Sequence, residues 1–393
     1  MSSPAPSALQ RVAPFGFSTV VTFFAVSGAP TPLYHIYQET YGFAASTITI
    51  IFAMYVASLL IGLLLFGGLS DFIGRRPVVF AGLLFNLAAL AAFLMADGAS
   101  MLIFARFLQG LGTGLAIPAL GAQILDTAPK NGPVLNSAGA FVGLMTGTLL
   151  SAILVTYAPD PTHTVYLVLV VVILLEMALL LVIPETVTRK PGAIASLRPR
   201  VSIPPRAMSA VLRTAPVNIA GWALGGFYLS LMPSLVSAAT GNHSPLVGGA
   251  VVSALMLTSV IVVIATGKSR PTSVLTVGSS ALVAGVVVTM LGVSLHQTVL
   301  MFAGTVIAGI GFGGNFGAIL RTVLPFADQD DRAALLSTFF VQSYLAFALP
   351  AIAAGMAAPV LGLVTTTYLY GTAIVILALT SLVAIRRLEP SAN

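Results

Sequence analysis

The sequence predicts an all-α membrane protein with twelve transmembrane helices in two related, pseudo-symmetric six-helix bundles. Of its 393 residues, 58% are hydrophobic and only 7% are charged, and the mean hydropathy is +1.03, whereas soluble domains carry about 25% charged residues. The apolar runs, such as residues 165–183 and 373–385, are continuous and lack the alternation of barrel strands. In addition, two sequence landmarks recur six spans apart.

The number of spans follows from the apolar runs. A helix that crosses a bilayer needs about 20 mostly apolar residues, because lipid cannot satisfy backbone polar groups. The predicted spans, numbered 1 to 12 in chain order, are residues 14–36, 45–69, 77–96, 100–126, 134–157, 164–184, 214–238, 246–266, 272–295, 298–324, 333–357 and 365–385. Most connections are short, but residues 188–206 combine several prolines with basic residues. We therefore expect an N-terminal bundle at 1–187, a cytoplasmic linker at 188–212 and a C-terminal bundle at 213–393.

The charges predict the orientation. Connections on one side carry Glu39, Asp97 and Asp160 and no Lys or Arg. By the positive-inside rule, both termini and the linker are cytoplasmic, and we expect a bacterial inner (plasma) membrane. The basic composition thus reflects topology and does not indicate a nucleic-acid partner. The basic residues on the cytoplasmic side are Arg11, Arg75, Arg76, Lys130, Arg189, Lys190, Arg198, Arg200, Arg206, Arg213, Lys268, Arg270, Arg332, Arg386 and Arg387.

Several other classes of protein lack support in the sequence. The first 18 residues do not show the pattern of a signal peptide, so we expect the first apolar segment to remain in the protein. The chain has no cysteine, which excludes disulfides and thiol chemistry. Residues 309–314 match G-x-G-x-x-G but lie within span 10, not between a strand and a soluble helix. We expect no cofactor, no metal site and no enzymatic activity.

The landmarks that recur are two short glycine-containing segments. Span 2 is followed by GRRP at residues 74–77, and span 8 by GKSRP at residues 267–271. Span 4 contains GLGTG at 110–114, and span 10 contains GIGFG at 309–313. Such parallel duplication is one known arrangement of secondary transporters, which bind substrate near the midplane between the halves.

Two motifs connect the chain with a known family. In the loop GGLSDFIGRRP, the pattern G-x-L-x-D-x-x-G-R-R is matched in order by Gly67, Leu69, Asp71, Gly74, Arg75 and Arg76. In span 4, the pattern R-x-x-x-G-x-x-x-G is matched by Arg106, Gly110 and Gly114. Across essentially its whole length, the sequence resembles the major facilitator superfamily, which carries both signatures at these places.

The resemblance implies two bundles around a central cavity lined by spans 1, 4, 7 and 10, which rock so that access alternates between the two faces. It also implies a conformational gate on the cytoplasmic side, with Asp126 joining the loop charges. The gate residues would be Gly67, Asp71, Gly74, Arg75, Arg76 and Asp126. The alternative interpretation is a topology anchor of solvated arginines and a turn.

Arg106 is the principal candidate for a substrate-binding or proton-coupling residue within the membrane. An arginine at the centre of a span costs about 2.5–3.5 kcal/mol on insertion scales, so it needs a partner or an aqueous cavity. Gln109 follows on the same helix face. The two residues form either a substrate-anion or proton-relay site, or a link to backbone carbonyls of span 1. Close helix packing is predicted for the glycines of spans 4 and 5, which are Gly110, Gly114, Gly139, Gly143 and Gly147.

Further candidates for proton coupling are Glu176, His35 and Tyr34. Glu176 lies in the middle of apolar span 6, where it either carries a proton or is a neutral acid hydrogen-bonded to a neighbouring helix. His35 is a candidate because histidine is the side-chain type that serves most often as a proton carrier or pH sensor. Together with Tyr34, it lies near the outer end of span 1, where aromatic side chains are also typical of a membrane interface.

Polar and aromatic residues of the second half are candidates for the cavity wall. Asn218, Trp222 and Gly225 recur on one face of span 7, and the tryptophan is suited to pack against an apolar substrate. Helix packing is the alternative interpretation for each of them. The cavity-lining candidates are Asn218, Trp222, Tyr228, Asn315, Gln342 and Tyr344.

We expect a monomeric secondary active transporter that exports small, mainly apolar compounds in a proton-coupled, multidrug-like manner. The absence of an acid in the apolar part of span 1 argues against a dedicated cation exporter. Similar antiporters often have a proline after the position of Gly147, and its absence here leaves the direction of transport open. The alternatives are an organic-anion or metabolite transporter with Arg106 as counter-ion, an uncoupled uniporter, and a non-transporting receptor or assembly factor.

Overall fold

The described part of the chain is helical. The computed structural model describes residues 9–199, 201–328 and 331–385. Residues 45 and 333 are described by their backbone alone. No strand occurs within these ranges, and the predicted all-α class is confirmed. Arg200, Arg386 and Arg387, which the charge pattern assigns to the cytoplasmic side, lie outside the described residues.

Twelve described helices correspond in order to the predicted spans and are numbered with them. They are α1 (Val12–Gly28), α2 (Ala45–Phe66), α3 (Arg75–Leu94), α4 (Ala99–Thr127), α5 (Gly132–Tyr157), α6 (Thr164–Leu180), α7 (Pro205–Ser230), α8 (Pro245–Thr266), α9 (Pro271–Ser294), α10 (Thr298–Val323), α11 (Arg332–Leu361) and α12 (Leu363–Ile385). Between them lie four short helices, which are Tyr34–Tyr41, Ser70–Ile73, Ala193–Ser196 and Met232–Thr240.

Not all of these helices qualify as spans by length and composition. Within the described ranges, ten helices are long and apolar enough to cross a membrane. The pair of α7 and Met232–Thr240, bent by 67°, is an eleventh candidate. Helix α6 is apolar but has only 17 residues, the short end of the range that crosses a bilayer. The chain is therefore an integral membrane protein, although the strict count falls short of the predicted twelve.

Helices α1 and α7 both end at proline breaks. After α1, Pro30 and Pro32 interrupt the helix before the chain continues as Tyr34–Tyr41. After α7, Pro233 lies in the first turn of Met232–Thr240. Proline has no N–H and clashes with the carbonyl four residues earlier. Spans 1 and 7, which the apolar pattern predicts as continuous, are thus each broken near the same end.

The start of span 7 also differs from its prediction. Helix α7 begins at Pro205 rather than near residue 214, because a proline is well tolerated in the first turn of a helix. The short helix Ala193–Ser196 lies in the same region. Part of the segment predicted as a linker is therefore helical.

The described residues pack as two compact units. Of the described residues, unit 1 comprises 9–33 and 54–199, and unit 2 comprises 34–53, 201–328 and 331–385. Within unit 1, α3 packs extensively on α4 and α1 packs on α5. Within unit 2, the corresponding pairs α9–α10 and α7–α11 also pack extensively. The same neighbours recur in both units, as expected for duplicated halves.

Glycines bring α5 close to α1 within unit 1. A Cβ atom on Gly147 would overlap the backbone of Ala25, and one on Gly143 would approach the carbonyl oxygen of Val21. Gly139 faces the side chain of Val20 in the same way. The spacing of the two helices therefore depends on the absence of side chains along this stripe.

We predict that Gly147→Ala destabilises the protein by about 1–3 kcal/mol, because the added methyl group forces α5 away from α1. The matched control is Gly317→Ala on α10, where an added Cβ would meet no atom within 4 Å and alanine is intrinsically the better helix former. Thermal unfolding of the purified protein in detergent compares the two. Equal melting temperatures for both variants would contradict this account of the α1–α5 contact.

Candidate functional site

The loop between α2 and α3 is organised around Arg75. Its guanidinium donates from Nη1 to the Asp71 carboxylate and to Ser70 Oγ, the latter at 2.6 Å. Its Nε lies 3.5 Å from Asp126 Oδ2 at the end of α4. Arg75 is buried, but the side chains of Asp71 and Asp126 are 49% and 36% exposed. Because both acids are partly exposed to water and salt, their attraction to Arg75 is screened, which favours an exchange of partners.

The same loop needs glycine at one position. Gly74 ends the helix Ser70–Ile73 and precedes α3 with φ of 103°, a conformation that favours glycine. Gly67, at the other end of the loop, lies near the Pro118 side chain of α4. The turn that directs Arg75 toward α4 therefore depends on Gly74.

Glu185, just after α6, holds the start of α3. Its carboxylate accepts hydrogen bonds from the backbone N–H groups of Arg75, at 2.8 Å, and Arg76, at 3.1 Å. The first N–H groups of a helix have no partner within the helix, and a carboxylate there is stabilising. The Arg76 guanidinium donates to the Leu181 carbonyl at 3.0 Å. Thr186 donates to Asp126 Oδ2 at 3.1 Å, so one segment contacts both sides of the Arg75 cluster.

Sequence reasoning missed Glu185 and Thr186. The available signal was the pair Glu185-Thr186 directly after span 6, on the side of the membrane where α3 begins. An acid at that place is suited to the free N–H groups of a neighbouring helix start. The pairing itself depends on which helices are neighbours.

Arg106 and Gln109 on α4 bind the end of α1. Arg106 Nη1 donates to the Ser27 carbonyl at 2.9 Å and to Gln109 Oε1 at 2.6 Å. Gln109 Nε2 donates to the Val26 carbonyl at 2.8 Å. Arg106 is only 1% exposed, and its Cζ lies 5.3 Å from the ring centre of Tyr55. The charge is therefore compensated within unit 1 by carbonyls, an amide and an aromatic face.

The proline break explains why these carbonyls are available. In a continuous helix the carbonyls of Val26 and Gly28 would accept from residues 30 and 32, but both are prolines without an N–H. Gln109 donates to Val26, and Thr148 on α5 lies 3.4 Å from the Gly28 carbonyl. The carbonyls of Ser27 and Ala29 accept from Arg106 and from Ser151, the latter at 2.6 Å. Four consecutive carbonyls at the end of α1 thus accept from side chains of α4 and α5.

Glycines of α4 permit a close contact with α2 in unit 1. A Cβ on Gly110 would overlap Ser58 and the Tyr55 carbonyl, and one on Gly114 would overlap the Leu59 carbonyl. This contact brings Tyr55 to Arg106. The glycines of the span 4 signature therefore help to position the ring that covers the guanidinium.

Glu176 on α6 is buried against α1. It is 5% exposed, and its Oε1 accepts a hydrogen bond of 2.8 Å from Thr22. Oε2 has no hydrogen-bond partner in the described part of the chain. Thr22 lies on the same helix as the carbonyls that Arg106 and Gln109 bind, so α1 connects the acid with the basic cluster.

Tyr34 and His35 belong to unit 2, whereas Arg106, Gln109 and Glu176 belong to unit 1. Tyr34 is buried. His35 is half-buried, with Nε2 3.3 Å from Glu39 Oε1 and its ring stacked on that of His243 at 6.5 Å. Within unit 2, His35 is thus paired with Glu39 and His243.

The cavity-wall candidates of unit 2 divide into three groups. Asn218 donates from Nδ2 to Gln342 Oε1 at 3.1 Å, and Trp222 contacts the Tyr344 ring at 5.1 Å. Tyr228 instead bonds to Thr305 at 2.8 Å, and Asn315 packs against Gly278 of α9. The first four residues named here lie on α7 and α11, Asn315 lines a small cavity together with Asn218 and Trp222, and Tyr228 bonds to α10 instead.

Comparison with known families agrees with this architecture. The sequence profile described as Major Facilitator Superfamily matches residues 15–349, which is most of the chain. The chain belongs to the major facilitator superfamily. The match includes the Arg75 loop and the Arg106 cluster, which carry the two motifs noted in the sequence.

Individual relatives within the superfamily match shorter regions. The chain is 36% identical over 136 residues to the lincomycin resistance protein of Streptomyces lincolnensis, which covers 33% of this chain and 28% of the relative. It is 35% identical over 106 residues to multidrug resistance protein 3 of Bacillus subtilis (strain 168), which covers 26% of this chain and 21% of the relative. The matches thus span only about a quarter of these relatives.

We predict that Gln109→Leu lowers the free energy of unfolding by about 1–3 kcal/mol, because the buried Val26 carbonyl loses its donor. In a Pro30→Ala background, residue 30 regains an N–H that can reach this carbonyl. The same substitution should then cost about 1 kcal/mol less. Pro233→Ala is the control background, since it alters the break after α7 instead. A cost independent of residue 30 would show that the proline break does not explain the α1–α4 contact.

We also predict that Glu185→Ala accelerates amide hydrogen exchange at the start of α3 by about 2- to 30-fold, as expected for the loss of a helix cap. Exchange of peptides that cover residues 73–80 provides the measurement. Residues 267–275, at the corresponding loop of unit 2, serve as the internal control. Unchanged exchange at residues 73–80 would contradict the capping role.

Proposed function

We propose that the protein is a secondary active transporter that exports small, mainly apolar compounds by alternating access, with protons as the coupling ion. The superfamily match over residues 15–349 is the observation that carries the proposal. The two relatives named as resistance proteins support export of drug-like compounds. The proposal includes a monomer in the bacterial inner membrane, with two bundles at 1–187 and 213–393 and cytoplasmic termini.

Proton coupling requires a group that gains and loses a proton during the cycle. Glu176 is suited to this role, because a buried carboxylate with a single donor is costly and a neutral acid is much less so. Its donor, Thr22, lies on α1, the helix whose end binds Arg106 and Gln109. A change of protonation at Glu176 would therefore alter the contact between α6 and a helix that the superfamily places at the cavity.

The alternative of an organic-anion transporter with Arg106 as counter-ion receives less support. The guanidinium is almost completely buried and is held by the Ser27 carbonyl, Gln109 and the Tyr55 ring. To bind an anion it would have to release the end of α1. Arg106 and Gln109 are better suited to position α1 than to bind substrate.

The Arg75 cluster supports a cytoplasmic gate. The residues of this gate lie on the loop between α2 and α3, at the start of α3 or at the end of α4; they are Gly67, Asp71, Gly74, Arg75, Arg76 and Asp126. Because the acids are half-exposed, their ion pairs with Arg75 can be exchanged at low cost. The backbone bonds from Glu185 hold the start of α3 while those pairs change.

Transport is tested in proteoliposomes with an imposed pH gradient, using a radiolabelled panel that includes lincomycin and chloramphenicol. We expect accumulation of at least one compound in acid-loaded vesicles and its loss when an ionophore collapses the gradient. Glu176→Gln should abolish gradient-driven accumulation and retain exchange of labelled for unlabelled compound, because glutamine fills the site without carrying a proton.

Thr22→Ser is the matched control, since it retains the hydroxyl donor to Glu176 and should retain accumulation. Gradient-driven accumulation at the wild-type rate in Glu176→Gln would exclude Glu176 as the coupling residue. If no compound of the panel accumulates and none exchanges, the export function itself is contradicted.

A further inference from the structure

Residues 34–53 belong to unit 2, although the preceding helix α1 belongs to unit 1. Within unit 2, the Phe52 ring lies 5.0 Å from the Phe347 ring of α11, and a Cβ on Gly355 of α11 would overlap Thr49. Neither contact involves a titratable group. The part of this segment that lies in α2 is therefore held on unit 2 by contacts whose strength does not depend on pH.

Two histidines join the helix Tyr34–Tyr41 to the loop before α8. The rings of His35 and His243 are stacked, with centroids 6.5 Å apart and an angle of 17° between the ring planes. The His35 side chain is 34% exposed, and His243 is exposed. We call these two residues the histidine pair. Because both rings reach the solvent, water can protonate either side of this contact.

Hydrogen bonds fix the second histidine and its surroundings. Ser237 Oγ lies 2.6 Å from Nδ1 of His243, which ties that ring to the helix Met232–Thr240. His296, in the turn between α9 and α10, donates from Nδ1 to the Ala239 carbonyl at the end of the same helix. A cation near the C-terminal end of a helix is favourable, so protonation of His296 maintains this bond. These bonds keep the loop before α8 in place.

The histidine pair has one acidic neighbour within the described part of unit 2. Glu39 Oε1 lies 3.3 Å from His35 Nε2 on the same helix. This end of unit 2 consists of residues 34–44, 231–245, 294–298 and 361–363. Apart from tyrosines, the titratable residues of these segments are His35, Glu39, His243 and His296. The acids Asp97 and Asp160, which the charge pattern assigns to the same side, belong to unit 1.

One proton and two protons have opposite effects on the histidine pair. Histidine is the side-chain type that changes its charge between pH 8 and pH 5. A proton on His35 is favoured by Glu39. A second proton, on His243, places two like charges 6.5 Å apart on different segments, which shifts the contact equilibrium by about 3- to 10-fold. Glu39 can compensate only one of the two charges.

We propose that the histidine pair is a proton-sensitive clasp, which holds the helix Tyr34–Tyr41 on unit 2 near pH 8 and releases it at pH 5. The pair lies on the side that the charge pattern predicts to be outside, so the solution on that side supplies the protons. Acid there frees the outer end of span 1, while the contacts of Phe52 and Thr49 hold the start of α2. The clasp is independent of the proposed transport function.

Amide hydrogen exchange of the full-length protein in detergent tests the clasp, using peptides that cover residues 34–41. Each variant is compared with the wild type at the same pH, so the intrinsic pH dependence of exchange cancels. At pH 5, we expect these residues to exchange about 3- to 10-fold faster in the wild type than in His243→Gln, which cannot carry the second charge. At pH 8, the two proteins should exchange within about twofold of each other.

Three further measurements separate a charge effect from a structural effect of the ring. In 1 M salt the Debye length falls to about 3 Å, so the excess exchange of the wild type at pH 5 should fall to about twofold or less. Glu39→Gln should raise exchange at pH 5 by a further factor of about 2 to 3, because no anion then compensates His35. The control is His163→Gln in unit 1, whose ring pairs with Asp160, and it should leave residues 34–41 unchanged.

The outcomes are distinct. An equal ratio of wild-type to His243→Gln exchange at pH 5 and pH 8 would overturn the clasp and assign the ring a structural role. Slower exchange of the wild type at pH 5, or an excess that 1 M salt leaves unchanged, would also overturn it. An excess confined to pH 5 and suppressed by salt supports it, whether or not any compound is transported.

Discussion

The end of α1 imposes the constraint on which the centre of unit 1 depends. Pro30 and Pro32 remove two backbone donors at membrane depth, where water is not available to replace them. Four consecutive carbonyls therefore accept from side chains of α4 and α5, which are Gln109, Arg106, Thr148 and Ser151. Because a charge-assisted donor is stronger than a neutral one, Arg106 is well suited to this place. The charge of Arg106 is costly in an apolar helix, and the carbonyls at the end of α1 are costly without donors. The hydrogen bond between them offsets both costs.

The charged residues of unit 1 fall into two groups with different consequences for motion. Arg106 and Glu176 are buried and bound to α1, so a change in either is transmitted to that helix. Asp71 and Asp126 are half-exposed around Arg75, and their interactions are weak enough to be exchanged. Glu185 connects the second group to the end of α6 through backbone bonds. The centre of unit 1 is therefore held by buried bonds, whereas the loop around Arg75 is held in part by exposed ones.

Unit 2 repeats the packing of unit 1 with different chemistry. Thr305 stands in α10 where Arg106 stands in α4 relative to the shared glycine landmarks, and it bonds to Tyr228 on α7. A neutral hydroxyl pair thus replaces the basic cluster at the corresponding place of unit 2.

The sequence by itself determined the membrane class, the approximate spans and the superfamily, because these depend on composition, on the lengths of apolar runs and on motifs that are local in the chain. It also identified Arg106 and Glu176 as costly residues that require partners. Only the tertiary structure decided those partners, since Ser27 and Thr22 are distant in sequence and become neighbours when helix faces meet. The same reason applies to Glu185 at the start of α3 and to the contact between Trp222 and Tyr344. Local sequence patterns indicate which residues require a hydrogen-bond partner, and the packing of the helices decides which residue becomes that partner.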